Sequence, residues 1–282
     1  MRISELNIFP LKSARGIALS ESWVDAQGLV GDRRAMLTDA SGHFITQRDM
    51  PLLAQLQAFP VSGAWELVME GKGELRAETP PADRRMDVAV WKSIVSAAVA
   101  ADAINAGLSE WFDRDVRLVF FDDAAHRPAD KSWGADGTPV TFADGFQVLI
   151  TTTASLKALN ANKEAKGEPT VGMDRFRPNI VIDQDEPWAE DRWAAIEIDG
   201  ITFDLVKPCA RCIMTTQDQH TGSREGANPM PAMGRLRMSA DRRVPGPLFG
   251  WNAVPRGEGI LRIGDEMKVT AERPEGWAIK QR

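Results

Sequence analysis

The chain has 282 residues and a formal net charge of −6, with 43% hydrophobic and 26% charged residues. This is globular material with ample apolar content for one large or two ordinary domains. The acidic balance argues against broad nucleic-acid affinity but permits a local basic pocket for a phosphate. Two cysteines in such a length make no disulfide framework and favour a reducing compartment, the cytoplasm. No signal peptide and no apolar run of the roughly 18 residues needed to span a membrane is present, so no membrane association is expected.

Ile3 to Leu11 reads as a strand leading into Pro10-Leu-Lys-Ser-Ala-Arg-Gly16. An ammonium and a hydroxyl followed by glycine suit a loop that meets an anion, although a solvated turn has the same composition. Ser22 to Gly31 supplies a strand and a Gly-rich turn. Asp32 to Asp39 is expected as a second strand, turning at Asp39-Ala-Ser-Gly42 so that Phe44-Ile-Thr-Gln-Arg48 returns. Trp65 to Arg76 reads as a hairpin closing at Gly71-Lys-Gly73, followed by strands over Met86–Trp91 and Ile94–Val99. Ala101 to Asp113 has the clearest helical period, with Ile104, Leu108, Trp111 and Phe112 on one core face. Val116 to Phe121 reads as a buried strand. Residues 122–139 are polar, interrupted by Pro and Gly, and read as a long loop between two halves.

The second half opens with the turn Asp144-Gly145 and a buried strand around Val148–Ile150. Thr151–Thr153 then cap a helix near Ala154 to Asn160. In Asp174-Arg-Phe-Arg-Pro-Asn179 the two arginines flank Phe176, so a strand would point both to one face, a geometry suited to bidentate recognition of phosphate. An exposed basic strand edge balanced by the acidic residues at 183–186 is the competing reading. Residues 223–244 lack periodicity and suggest an excursion or lid over a site. Pro247 to Asn252 and then Gly257 to Thr270 supply the closing strands.

The stretch around which this order is arranged is Lys207-Pro-Cys-Ala-Arg-Cys-Ile-Met-Thr-Thr-Gln-Asp-Gln-His-Thr-Gly222, which holds both cysteines. Three readings of Cys209 and Cys212 stand side by side. Both can be small buried residues. They can share a metal or form a redox pair, although no second cysteine pair completes a structural zinc site. One can act as a thiolate ligand or nucleophile, favoured by the positive charge of Arg211 and Lys207 nearby.

Pro208-Cys-Ala-Arg-Cys-Ile-Met-Thr-Thr216, followed by Thr221-Gly222, resembles the cysteine motif of MOSC-domain proteins, the molybdenum cofactor sulfurase C-terminal family. Pro10-Leu-Lys-Ser, Asp32-Arg33, Phe44-Ile-Thr-Gln-Arg48 and Pro51-Leu-Leu resemble the N-terminal β-barrel region that precedes it in the YcbX-like and mitochondrial amidoxime reducing component branch. Arg-Phe-Arg-Pro-Asn179 and Leu248-Phe-Gly250 resemble further family blocks, and all occur in family order. The resemblance implies a mixed, predominantly β (α+β) fold: an N-terminal β-barrel-like region over 1–121, a boundary loop over 122–139, a MOSC domain over 140–272 and a tail over 273–282.

The same resemblance implies a molybdenum cofactor of the molybdopterin type, with Cys212 as metal ligand and catalytic residue. Lys12, Ser13 and Arg33 match residues that hold pterin and phosphate, and Arg34 is the neighbouring candidate for the arginine. Asp144, Gly145, Phe146, Arg177, Ala210, Arg211 and Asn252 match further cofactor contacts. The implied reaction is reduction of a small N-hydroxylated compound such as an amidoxime, a hydroxylamine or an N-hydroxylated base. With no cysteines to ligate an intrinsic iron–sulfur cluster, an external donor is expected: a ferredoxin, a cytochrome b5-like protein or a flavin reductase. Two alternatives remain open, a sulfur carrier using a Cys212 persulfide and a non-catalytic cofactor carrier.

Overall fold

The computed structural model describes residues 1–281. Strands dominate, and three helices occur among the described residues. The first half contributes β1 (Arg2–Ile8), β2 (Ile17–Leu19), β3 (Glu21–Asp25), β4 (Gly28–Leu29), β5 (Ala35–Thr38), β6 (Gln57–Val61), β7 (Ala64–Met69), β8 (Gly73–Glu78), β9 (Arg85–Val90) and β10 (Ser93–Val99). Helix α1 (Asp102–Phe112) and β11 (Arg117–Phe120) close it. The second half runs through β12 (Val148–Thr152), α2 (Thr153–Glu164), β13 (Ile180–Asp183), β14 (Trp193–Ile198) and β15 (Ile201–Ala210). It continues with α3 (Met230–Leu236), β16 (Leu248–Arg256), β17 (Gly259–Arg262) and β18 (Met267–Glu272).

Eight strands form one sheet in the order β18-β14-β15-β16-β12-β13-β1-β2. All neighbours are antiparallel except β12 and β13, the pair joined through α2, because a parallel pair needs a crossover connection. β1 enters beside β13, and β3 pairs with β17 on one side and β4 on the other. Strands within residues 2–29 thus share sheets with second-half strands, across the boundary drawn in the sequence. The remaining first-half strands form a sheet ordered β5-β11-β10-β9 and a meander β6-β7-β8. The sheets curl as half-barrels.

All five residues of β12 are buried, as expected for a central strand covered on both faces. Its Val148 and Ile150 join Leu6, Ile182, Phe203 and Trp251 in the main core, where complete burial of each large apolar side chain stabilises by about 1.5–3 kcal/mol. Helix α1 buries Leu108, Trp111 and Phe112, and Ile104 packs against the same cluster, as its period predicts. Helix α2 is capped by Thr152, whose hydroxyl accepts from the Ser155 amide at 3.2 Å. It runs four residues past Asn160 because its last turn is anchored: the buried Lys163 ammonium donates to the Asn228 carbonyl at 2.6 Å.

Three expectations change. The strand expected over Asp32–Asp39 begins only at Ala35, because the Asp32 carboxylate accepts from the Phe9 amide at 2.7 Å and from Arg33 at 2.6 Å, which holds a turn. Phe44–Arg48 forms only an isolated bridge from Phe44 to Thr38, since the Asp49 carboxylate takes both the Thr46 amide and its hydroxyl and bends the chain away. The excursion at 223–244 contains α3, which packs through Ala232 and Met233 against Leu159 and Phe249. Arg237, just beyond it, donates to buried Asp191 at 2.6 and 2.8 Å.

Beside that ion pair lies a lone buried acid, Glu190, 1% exposed. Its carboxyl accepts from the Ser155 and Thr152 hydroxyls at 2.8 and 3.1 Å. Burial, with a smaller contribution from Asp191, pushes it up from 4.5 to about 7. The folded chain therefore holds this proton over a range where the unfolded chain has released it. Stability from this group is full below pH 4.5 and is lost as pH rises towards 7, at about 1.4 kcal/mol per pH unit. Glu190→Gln removes this dependence. Urea unfolding at a series of pH values is expected to show the variant gaining about 3 kcal/mol relative to the wild type between pH 4.5 and 8.

Candidate functional site

The loop after β1 is stitched to the turn before β5. The Lys12 amide donates to the Ala35 carbonyl at 2.8 Å, and the Arg33 amide to the Phe9 carbonyl at 3.0 Å. Ser13 and Arg33 adopt left-handed backbone at φ 65° and 48°, and Arg177, before β13, does so at φ 54°. Such a conformation is strained for a residue with a side chain, and strain of this kind clusters where surrounding contacts over-determine a functional geometry. Of the seven non-glycine residues with positive φ among the described residues, these three line one cavity of ≈ 310 Å³. A fourth, Trp91, is tied to it: its indole N–H donates to Asp144 at 3.2 Å.

Lys12 is 3% exposed and donates to the Phe142 carbonyl at 2.8 Å while pairing with Asp144. Burial lowers the Lys12 ammonium against the pull of Asp144. Burial by itself would raise the Asp144 carboxyl, but the Lys12 charge overrides it and holds Asp144 well below the usual carboxylate range.

Of the three arginines at the site, Arg177 and Arg211 lack this compensation. Arg33 pairs with Asp32 and donates to Asn179 Oδ1 at 3.0 Å. Arg177, 8% exposed, donates only to neutral oxygens, the Ala14 carbonyl at 2.7 Å and Gln219 Oε1 at 3.0 Å. The Arg33 and Arg177 guanidinium carbons lie 4.4 and 4.2 Å from the Phe9 ring centroid, a cation–π contact that supports charge without neutralising it. Burial, then the nearby Arg33 charge, pushes Arg177 down to about 9. Arg211 donates to the Phe176 carbonyl at 2.6 Å and to Cys209 Sγ at 2.9 Å, and its buried Nε has no partner. Arg177 and Arg211 make no ion pair among the described residues. An anion between them would relieve charges that the fold leaves uncompensated.

Strand β15 continues through Pro208 to Ala210, past the expected strand end, with a register shift opposite β16 between Pro208 and Ala210. Cys212 follows in extended backbone and starts a 3-10 turn over Ile213–Thr216. The Thr215 amide and hydroxyl donate to the Cys212 carbonyl at 3.2 and 3.1 Å. Both cysteines are free thiols lining the cavity, with Cys212 exposed and Cys209 half-buried. Among the described residues, no group of three or more His, Cys, Asp or Glu is placed to hold a metal ion. A metal at Cys212 would therefore need ligands from a bound cofactor, and the donor set fits one: a free thiol beside one buried and one half-buried guanidinium group without ion-pair partners among the described residues.

The turn beyond Cys212 is held by the first half. Gln217 Nε2 donates to the Pro51 carbonyl at 3.2 Å, and Gln55 Nε2 to the Thr221 carbonyl at 2.9 Å. Gln47 and Gln219 exchange amide hydrogen bonds at 3.2 and 3.3 Å, and Gln47 also donates to the Ser13 carbonyl at 2.8 Å. His220 contacts Arg15.

All of Lys12, Ser13, Arg33, Asp144, Gly145, Phe146, Arg177, Ala210, Arg211, Cys212 and Asn252 line this single cavity. Arg34 does not; it pairs with Asp25. Arg175 and Arg177 share no strand face, since residues 173–176 form a 3-10 turn. Arg175 instead ties down the Thr216 and Ala227 carbonyls, each at 3.1 Å. Sequence reasoning missed Phe9, Gln47, Trp91, Gln219 and Arg243. Only Trp91 carried a local signal, a large aromatic at the tip of a hairpin.

Two family models match the chain: the MOSC N-terminal beta barrel domain over residues 1–115 and the MOSC domain over residues 137–268. Mitochondrial amidoxime-reducing component 1 of Danio rerio is 27% identical over 282 residues, 95% of this chain and 85% of that protein. The Homo sapiens protein of the same name is 28% identical over 290 residues, 96% of this chain and 83% of its own. Molybdenum cofactor sulfurase of Homo sapiens is 28% identical over 240 residues, covering 79% of this chain but only 27% of the sulfurase.

The docking of the cysteine loop is testable at Gly222. Its φ is +77°, and a Cβ there would lie 2.4 Å from the Pro51 carbonyl oxygen. Gly226 is also at positive φ but has nothing within 4 Å. Gly222→Ala should cost about 1–3 kcal/mol in urea unfolding, and more than Gly226→Ala, which carries backbone strain alone.

Proposed function

From the premise that the chain belongs to the MOSC proteins, carrying the N-terminal β-barrel domain and then the MOSC domain, we propose that it is a molybdenum-cofactor-dependent reductase of N-hydroxylated compounds. The observation that carries this reading is the placement of the exposed Cys212 thiol in the same cavity as the buried Arg177 and the half-buried Arg211, neither of which has an ion-pair partner among the described residues.

Arg177 and Arg211 bind the cofactor's phosphate, and their desolvation makes each hydrogen bond to it stronger than on an open surface. Lys12, Ser13 and Arg33 hold the anionic pterin against the loop after β1. Asp144 keeps Lys12 charged and, through Trp91, ties the hairpin tip of β9 and β10 to the site. Gly145, Phe146, Ala210 and Asn252 shape the remaining wall. The Cys212 thiolate is the protein's ligand to the metal, a soft donor suited to a redox-active transition metal. Arg211, bonded to Cys209 Sγ, orients the first cysteine away from that role. When bound, the cofactor supplies two-electron chemistry that converts R–NH–OH, two electrons and two protons into R–NH2 and water. The electrons come from an external ferredoxin, cytochrome b5-like protein or flavin reductase. The low cysteine content, two in 282 residues, supports a reducing compartment, the cytoplasm.

A second reading rests on the likeness to a sulfurase: Cys212 carries a persulfide. Purification from a host that makes molybdenum cofactor, with metal and pterin measured per chain, separates the two. Near-stoichiometric molybdenum and pterin are expected in the wild type. Cys212→Ala should lose molybdenum and all reduction of an amidoxime while remaining folded, and Cys209→Ala should be milder. Equal loss from both changes would undo the ligand assignment, and a Cys212 persulfide without metal or pterin would favour the sulfur carrier.

A further inference from the structure

A second group of cations lines the same cavity without joining the arginine cluster. Lys207 and Arg243 are both lining residues, and both rest on Trp133: the Lys207 ammonium is 5.3 Å and the Arg243 guanidinium 5.1 Å from its ring centroid. Trp277 backs this arrangement, 6.0 Å from the Trp133 ring and 6.0 Å from Arg243. Four segments far apart in the chain thus converge on one small platform. The backbone at Lys207 is pinned as well, facing Asn252 across β15 and β16, with Asn252 Nδ2 donating to its carbonyl at 3.2 Å.

The open donors give the platform its chemistry. A cation–π contact positions a charged head without consuming its N–H groups. Among the described residues the Lys207 ammonium has no ion pair and no hydrogen bond. Arg243 uses Nε and Nη2 on the Asp241 carboxylate, at 3.0–3.1 and 2.6 Å, which leaves Nη1 without a partner among the described residues. The arginine cluster described above already accounts for one cofactor phosphate. We infer that Lys207 and Arg243 form a second anion subsite, which takes a carboxylate or phosphate group carried by the N-hydroxylated substrate. This rests on the reductase reading for the identity of the substrate, while the anion subsite itself rests on the geometry.

The test uses cofactor-loaded protein and two matched probe pairs. Calorimetry compares binding of benzamidine with 4-carboxybenzamidine. Turnover compares benzamidoxime with 4-carboxybenzamidoxime, with reduced methyl viologen as electron donor. The wild type should prefer the carboxylated member about tenfold in both Kd and kcat/KM, the scale of one charge-assisted hydrogen bond in a partly enclosed site. Lys207→Gln with Arg243→Gln should abolish that preference, and each single change should reduce it, with thermal unfolding verifying the fold of all three. No preference in the wild type, or a preference retained by the double variant, overturns the subsite. Loss of pterin from the double variant, or a changed nucleotide form of the extracted pterin, assigns the anion to the cofactor and overturns the substrate assignment. If neither amidoxime is reduced but 4-carboxybenzamidine still binds preferentially through these two residues, the reductase reading falls and the subsite stands.

Discussion

Buried positive charge is the constraint on which the site depends. Guanidinium groups at Arg33, Arg177 and Arg211 are brought close together with one carboxylate, Asp32, in direct contact. Mutual repulsion and lost hydration both oppose that arrangement. It holds because neutral oxygens of Ala14, Phe176, Asn179 and Gln219 accept from them, while the Phe9 ring supports two of the cations. The left-handed backbone at Arg33 and Arg177 adds strain in the same place. A fold that tolerates repulsion, desolvation and backbone strain together is preorganised for an anion, whose arrival relieves the electrostatic part without rebuilding the site.

The second constraint is shared construction. Strands β1 to β4 lie in sheets with second-half strands, so the loop carrying Lys12 and Ser13 leaves a strand that the second half holds in place. Conversely, the turn beyond Cys212 is fastened to Gln47, Pro51 and Gln55 of the first half. Neither half holds its own part of the cavity alone. The Gln47–Gln219 pair also touches the Ser13 carbonyl and Arg177, so the cysteine loop and the arginine cluster share one hydrogen-bond network. Disturbance of either is expected to be felt by the other.

Most strands were legible because period-two alternation and bounding turns report directly on a half-buried sheet. The readings that failed were those where a side chain captured backbone groups. Asp32 and Asp49 each turn the chain with local hydrogen bonds, an option that strand propensity does not weigh. Helix α3 was missed because its seven residues are too few to display a period, and packing against α2 rather than propensity sustains it. Arg175 and Arg177 were expected to share a strand face. Both reach the cavity nonetheless, by different routes from a 3-10 turn.

The sequence by itself determined which residue types were available for the site: a Lys-Ser loop, an Asp-Arg turn, an Arg-Phe-Arg block and a cysteine motif, in an order that resembles one family. Each of these is local, so a short stretch displays it. What only the tertiary structure decided was the electrostatic state and the company each residue keeps. Lys12 meets Asp144 across 132 positions, and Lys207 and Arg243 meet over Trp133. Desolvation and charge coupling depend on distances through space, and no stretch of sequence records which distant groups the sheets will bring together.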